Sequence, residues 1–282
     1  MFDFLSIFKG YKVIAMSLLI NKIFVLKILY TFVLLFVVIK GYSQNNLVGN
    51  KYQKLIWADE FNVNGAPDPS KWDYDIGTGD WGWGNNEAQY YTNRATNVEV
   101  KNGVLIINTL KERYKGSDYT SARIKTQGKF SFKYGKVEIK AKLPLGKGTW
   151  PALWMLGENI NSAGWPSCGE IDIMEHVGNS EGKIYGTLHY PGFSGANSIS
   201  KTTDISNAIS GFHLYTMDWG PNIINFYVDN VLFHTFNNTA SLPFNQNFFL
   251  IVNSAIGGGL GGTIASDFAS SIFEVDYIRI YN

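Results

Sequence analysis

Polar and apolar positions alternate strictly along Lys136-Val-Glu-Ile-Lys-Ala-Lys-Leu143. Val137, Ile139, Ala141 and Leu143 therefore share one face of an extended strand, and Lys136, Glu138, Lys140 and Lys142 share the other. One face of that strand is predicted to be wet. Ile223 to Tyr227 and Leu232 to Phe236 flank Asp229-Asn230, which predicts a hairpin. Phe273 to Tyr281 predicts a further strand close to the last residue, Asn282. From about Lys54 onward, extended segments are separated by clusters of Gly, Asn, Asp and Pro, without an internal repeat or a low-complexity tract. Many short strands, wet outer faces and no helical crossover predict an all-β fold, a jelly-roll sandwich of two antiparallel sheets in one domain.

The first 43 residues follow a different pattern. Lys9, Lys12, Lys22 and Lys27 precede an uncharged apolar run from Ile28 to Ile39, and Gly41-Tyr42-Ser43 offers small residues before Gln44. The run is nearer a signal-peptide core than the roughly 20 residues of a membrane helix. Residues 1–43 are expected to be a cleaved export signal or an N-terminal anchor, and residues 44–282 the folded domain. Both alternatives place that domain outside the cytoplasm, secreted or periplasmic, with no membrane contact of its own.

Composition narrows the partners. A net charge of +1 implies neither nucleic acid nor an acidic surface as an electrostatic partner. Aromatic residues make up 15% of the chain and there are 29 Gly, a mixture suited to short strands and tight turns. The single cysteine, Cys168, excludes an intrachain disulfide and a Cys-rich zinc site, and it is expected to pack as a small apolar residue. Stability must come from a large core, and a bound calcium is a candidate contributor.

Gly169-Glu-Ile-Asp-Ile-Met-Glu175 places three carboxylates inside an otherwise apolar strand. In a regular strand, Glu170 and Asp172 share a face and Glu175 joins Ile171 and Ile173 in the core. Burying a lone unpaired glutamate is expensive. One extra residue around Met174, a β-bulge, resets the alternation and brings all three acids to one face. The two glutamates then have Cα atoms about 13 Å apart, from which their side chains can converge toward the roughly 5 Å spacing of retaining glycosidases. Asp172, between them, would raise a neighbour's proton affinity, and the three should titrate as a coupled set. An acidic, solvated strand face is the bland alternative. Trp150, Trp154 and Trp165 nearby supply flat apolar rings suited to pyranose faces, although an isolated Trp is more often core. Asn85-Asn-Glu-Ala-Gln-Tyr-Tyr91 adds amide and hydroxyl groups on a predicted loop.

These segments resemble glycoside hydrolase family 16 and, within it, the laminarinases, which are endo-β-1,3-glucanases. The resemblance rests on Gly169 to His176 with its extra Met, Asn85 to Tyr91, Tyr119 to Phe130, Trp150 to Leu156, Gly186 to Tyr190 and Asn253 to Gly258. It runs in order from about Leu55 to Tyr281. It implies a jelly roll with a concave substrate cleft, Glu170 as nucleophile, Glu175 as acid/base and Asp172 assisting. It assigns Asn86, Glu87, Arg123, Trp150, Trp154, His189 and Asn253 to the sugar subsites, which Trp165 is expected to join as a ring beside the acids. It requires no catalytic cofactor, and it implies a structural calcium held by Glu60, Gly103 and Asp276 far from the acids. The expected partner is a polysaccharide, and the expected state a monomer. Mixed-linkage β-glucan, or a galactan such as agar or carrageenan, remains open as substrate, as does transglycosylation. A non-catalytic glycan-binding jelly roll would not need the paired acids. The loop from Gly157 to Pro166 carries no readable contacts.

Overall fold

Residues Gly135–Lys142 form a strand whose every second side chain is buried, so the alternation in the sequence is realised in space. Its polar face is partly exposed, as expected, and carries ion pairs: Lys136 with Glu138 at 2.5 Å, Lys140 with Asp276 at 2.8 Å and Lys142 with Glu274 at 2.9 Å. The structure, a computed structural model, describes residues 52–282. The expected export signal or anchor, and most of the segment to Gln53, lie outside the described residues. Among the described residues no helix is long and apolar enough to cross a membrane.

The strands, numbered along the chain, begin with β1 (Leu55–Asp59), β2 (Asp73–Asp75), β3 (Gln89–Tyr91), β4 (Val98–Lys101), β5 (Val104–Tyr114) and β6 (Ser117–Ser121). They continue with β7 (Arg123–Lys125), β8 (Gly135–Lys142), β9 (Thr149–Gly157), β10 (Glu170–His176), β11 (Lys183–His189) and β12 (Ile199–Asp204). The last are β13 (His213–Trp219), β14 (Ile223–Val228), β15 (Val231–Asn237), β16 (Phe248–Ile256) and β17 (Ser270–Tyr281). A ten-stranded sheet runs β15-β14-β13-β8-β17-β5-β6-β3, with β1 and β4 added on β17 and β5. A seven-stranded sheet runs β12-β11-β10-β9-β16-β7-β2. This is the expected all-β sandwich, with one departure. β3 and β6 pair in parallel, because the chain between them passes through β4 and β5 before returning alongside.

The core lies between the sheets. From the larger sheet come Leu105, Ile107, Val137, Ile139, Tyr215, Met217, Phe273 and Ile278, and from the smaller Leu153, Met155, Ile171, Met174, Leu188, Leu250 and Val252. Trp219 is fully buried with Phe132, Tyr134 and Phe248 edge-on to it at 5.2 to 5.7 Å. Its indole N–H donates to the Phe244 carbonyl at 3.0 Å, which removes the cost of burying an unpaired donor. A second, smaller cluster of Leu156, Cys168, Phe249 and Ile251 packs with Trp154 and Ile160. The predicted environment of Cys168 is therefore the observed one.

Candidate active site

β10 contains the slip that the acid spacing requires. Asp172 pairs with Trp154 of β9, yet the next pair is Met174 with Leu153, so Ile173 is the extra residue. The opposite edge agrees: Asp172 pairs with Thr187 and Glu175 with Tyr185 of β11. Ile173 and Met174 both enter the core. Glu175 therefore returns to the face of Glu170 and Asp172 and stays out of the hydrophobic interior. Gly169 precedes this strand at φ +77, and a Cβ there would press on Phe248 and Pro243 at 3.0 and 3.1 Å. Only glycine makes that entry without strain.

Each carboxylate meets its own donors. Trp165, on the loop before β10, donates its indole N–H to Glu170 Oε2 at 2.9 Å. Trp150 of β9 donates to Glu175 Oε1 at 3.0 Å, and Thr187 donates to Glu175 Oε2 at 3.3 Å. His189 Nε2 lies 3.2 Å from Asp172 Oδ2 and 3.6 Å from Glu170 Oε1. The Gly195 backbone N–H donates to His189 Nδ1 at 3.1 Å, so the ring proton sits on Nε2, facing the acids. Asp172 is 3% exposed, and its Oδ2 makes no hydrogen bond.

Crowding three acids in a dry place disfavours their charged forms. Burial first, and the Asp172 charge second, push Glu170 up to about 8. Burial, then the Glu175 charge, holds Asp172 well above the usual carboxylate range. Burial likewise raises Glu175, against the lowering effect of the Trp150 donor. Such a set shares protons and titrates as one unit. One member can present a proton while another presents a negative charge, which is the division of labour acid/base chemistry needs.

The remaining expected sugar contacts divide. Trp150, Trp165 and His189 gather at the acids. Asn86 is exposed on the loop before β3, in left-handed backbone at φ 57. Glu87 is half-buried and accepts from Asn85 Nδ2 at 3.2 Å, Gln89 Nε2 at 2.6 Å and Tyr91 Oη at 3.1 Å. Asn253 is 6% exposed, accepting from Trp154 Nε1 at 2.7 Å and donating to Tyr91 Oη at 2.9 Å. Arg123 lies between the rings of Trp83 and Trp154, at 4.6 and 4.7 Å, and pairs with Asp75 at 2.8 Å. Trp154, Asn253, Tyr91 and Glu87 thus form one hydrogen-bonded chain, and Arg123 stacks on its Trp154 end. Gln89 and Tyr91 belong to the loop segment whose amide and hydroxyl groups the sequence offers, whereas nothing in the sequence marks Trp83 or Asp75. The hint for Thr187 is its place in the Gly186 to Tyr190 segment, two residues before His189.

Two places invite a cation. Glu170, Asp172 and His189 offer ligand atoms within 4.8 Å of one another, but the proton on Nε2 blocks the nitrogen a metal would use. Glu60 and Asp276, the two acids expected at a calcium site, lie near each other elsewhere. Asp59 pairs with Ile278, Leu105 pairs with Val275, and β17 slips register between Val275 and Tyr277. Glu60 and Asp276 are near enough that the Asp276 charge raises Glu60, which the Arg279 hydrogen bond nevertheless keeps below its ordinary value. Arg279 holds both Glu60 oxygens at 2.7 and 2.9 Å, and Lys140 holds Asp276 at 2.8 Å. Oxygen donors of this kind suit calcium, which would have to displace Arg279 from Glu60.

Comparison with known proteins completes the picture. The family described as Glycosyl hydrolases family 16 matches residues 80–279. A beta-glucanase of Rhodothermus marinus is 44% identical over 245 residues, covering 81% of this chain and 85% of that protein. A glucan endo-1,3-beta-glucosidase of Cryptopygus antarcticus is 36% identical over 254 residues, covering 80% and 90%. The solved catalytic domain of an endo-1,3-beta-glucanase (laminarinase) from Thermotoga petrophila superposes with a TM-score of 0.77 at 42% identity, covering 82% of this chain and 98% of that one. By its fold, its sequence match and these relatives, the chain belongs to family 16 of the glycosyl hydrolases.

Proposed function

We propose that this glycoside hydrolase cuts internal β-1,3-glucosidic bonds of laminarin-like glucans with retention of configuration, and that it does so outside the cytoplasm. Glu170 attacks the anomeric carbon as a carboxylate and forms a glycosyl ester, while Glu175 gives its proton to the departing glycosidic oxygen. Glu175, now ionised, takes a proton from the water that attacks the ester, and Glu170 leaves as a carboxylate. Asp172 and His189 tune the charge on Glu170. The observation that carries this reading is the register slip at Ile173, which puts Glu170 and Glu175 on one face. The names of the relatives from Rhodothermus marinus, Cryptopygus antarcticus and Thermotoga petrophila support a β-glucan substrate.

Calcium belongs to the same proposal as a structural ion. Glu60, Gly103 and Asp276 would hold it, tying β1 and β5 to β17 without touching the reaction. The test of function is hydrolysis of laminarin, lichenan, agar and carrageenan side by side, by the wild type and by Glu170→Gln. Preference for laminarin, lost in the variant while polysaccharide binding persists, is the expected result. Undiminished hydrolysis by Glu170→Gln would remove Glu170 from its role.

A further inference from the structure

Glu175 has two oxygens with unlike partners. Oε1 accepts from the Trp150 indole, a group that can only donate. A proton on Oε1 would face that N–H, so the acid proton of Glu175 belongs on Oε2. The partner of Oε2 is the Thr187 hydroxyl, at 3.3 Å, which can donate or accept. Thr187 in turn meets the Ser200 hydroxyl at 3.0 Å, its direct cross-strand neighbour on β12. Thr187 is 4% exposed, whereas Ser200 lies in the solvent on the outermost strand of its sheet.

We infer that Thr187, supported by Ser200, positions Glu175 by keeping its exchangeable proton on Oε2 and by stabilising the carboxylate left after that proton is given up. This rests on Glu175 being the acid/base. When Glu175 is ionised, Thr187 donates to Oε2 and Ser200 donates to Thr187, strengthening the bond through the chain. When Glu175 is protonated, the Oε2 proton is free to point at the substrate, and Thr187 turns its own hydrogen to Ser200. No bond to carbon changes in this exchange; only hydrogen-bond direction does. The other titratable groups around Glu175 are Asp172 and Glu170 on its own strand and His189 and Tyr185 on β11. On β9 its partner is the non-titrating Trp150. None of these can reverse a hydrogen bond to Oε2 as a hydroxyl in contact with it does.

The test is the pH profile of kcat/KM for laminarin. A hydrogen bond to the charged form lowers the pH of ionisation. Thr187→Val should therefore move the alkaline limb up by about one pH unit and lower kcat about tenfold, with KM little changed. Thr187→Ser should restore both. Ser200→Ala should move the limb the same way by less, and as a surface change it serves if Thr187→Val does not fold. An alkaline limb unmoved in the folded variants overturns the inference. Failure of the underlying reading looks different: Glu175→Ala would then keep the wild-type alkaline limb, whereas loss of that limb establishes Glu175 and leaves Thr187 to be judged by its own shift.

Discussion

Trp165 reaches from a loop to place its indole N–H 2.9 Å from Glu170 Oε2. Nearly half of Trp165 is exposed, so this large apolar side chain is held at the surface with its polar edge turned to the acid. Trp150 does the same for Glu175 from β9. The aromatic residues beside the acids therefore act as hydrogen-bond donors that fix two carboxylates.

Trp165→Phe keeps a ring and deletes the donor. Losing a hydrogen bond to the charged form makes Glu170 harder to ionise. The acid limb of the kcat/KM profile should move up by about one to two pH units, and activity near its lower edge should fall accordingly. A profile superimposable on the wild type would show that the bond does not govern Glu170.

The acid cluster should cost stability. Glu170 is raised from 4.5 to about 8, so the folded protein holds this proton more tightly than the unfolded chain does. Its favourable contribution is complete below the ordinary carboxylate value and is lost as pH rises through about 8. Glu170→Gln should therefore unfold at higher temperature than the wild type at about pH 9, with the gain shrinking toward about pH 5. Coupling within the set brings the expected gain to roughly 2 to 4 kcal/mol. Equal melting temperatures across that range would contradict the crowding.

His176 behaves in the opposite sense. It is fully buried, neither ring nitrogen has a hydrogen-bond partner, and burial lowers it from 6.5 to about 4. The unfolded chain takes up this proton first, so stability is present above about pH 6.5 and is lost as pH falls toward about 4. The loss amounts to about 3 kcal/mol. His176→Leu should flatten the fall in melting temperature over that window, and an unchanged slope would mean that other groups cause it.

Calcium should act on stability alone. Adding it to chelator-treated protein at a hundredfold excess over Kd should stabilise by about 2.7 kcal/mol, read as a melting shift, with kcat at low temperature unaffected. Asp276→Asn should weaken that shift. A melting temperature indifferent to calcium and chelator would leave Glu60 to Arg279 and Asp276 to Lys140 as a purely ionic clasp.

Much of the sandwich could be read from the chain because strand periodicity is local: β8 needs only its own eight residues to show which face is buried. The bulge was readable for a different reason. Without it Glu175 would be a lone charge in the core, so the energetic conflict within seven residues pointed to its own solution. The partners of the acids were not readable. Trp150 and Glu175 meet only because Ala152 pairs with Glu175, and Gly195 meets His189 only because the chain doubles back after β11. The same limit explains Glu87, Arg123 and Asn253. Their residue types suit sugar hydroxyls, and nothing in the pattern shows that Glu87 also meets Tyr91, Arg123 Asp75, and Asn253 Trp154. The parallel β3–β6 pair was equally hidden, since pattern alone does not give a strand its direction.

The central claim is that Glu170 attacks sugar from the face it shares with Glu175. Incubation with an activated 2-deoxy-2-fluoro laminaribioside should arrest turnover at the ester, and mass spectrometry of the digested protein should find one fluoroglycosyl group on Glu170. A label on another carboxylate, or hydrolysis with inversion and no label at all, would contradict it.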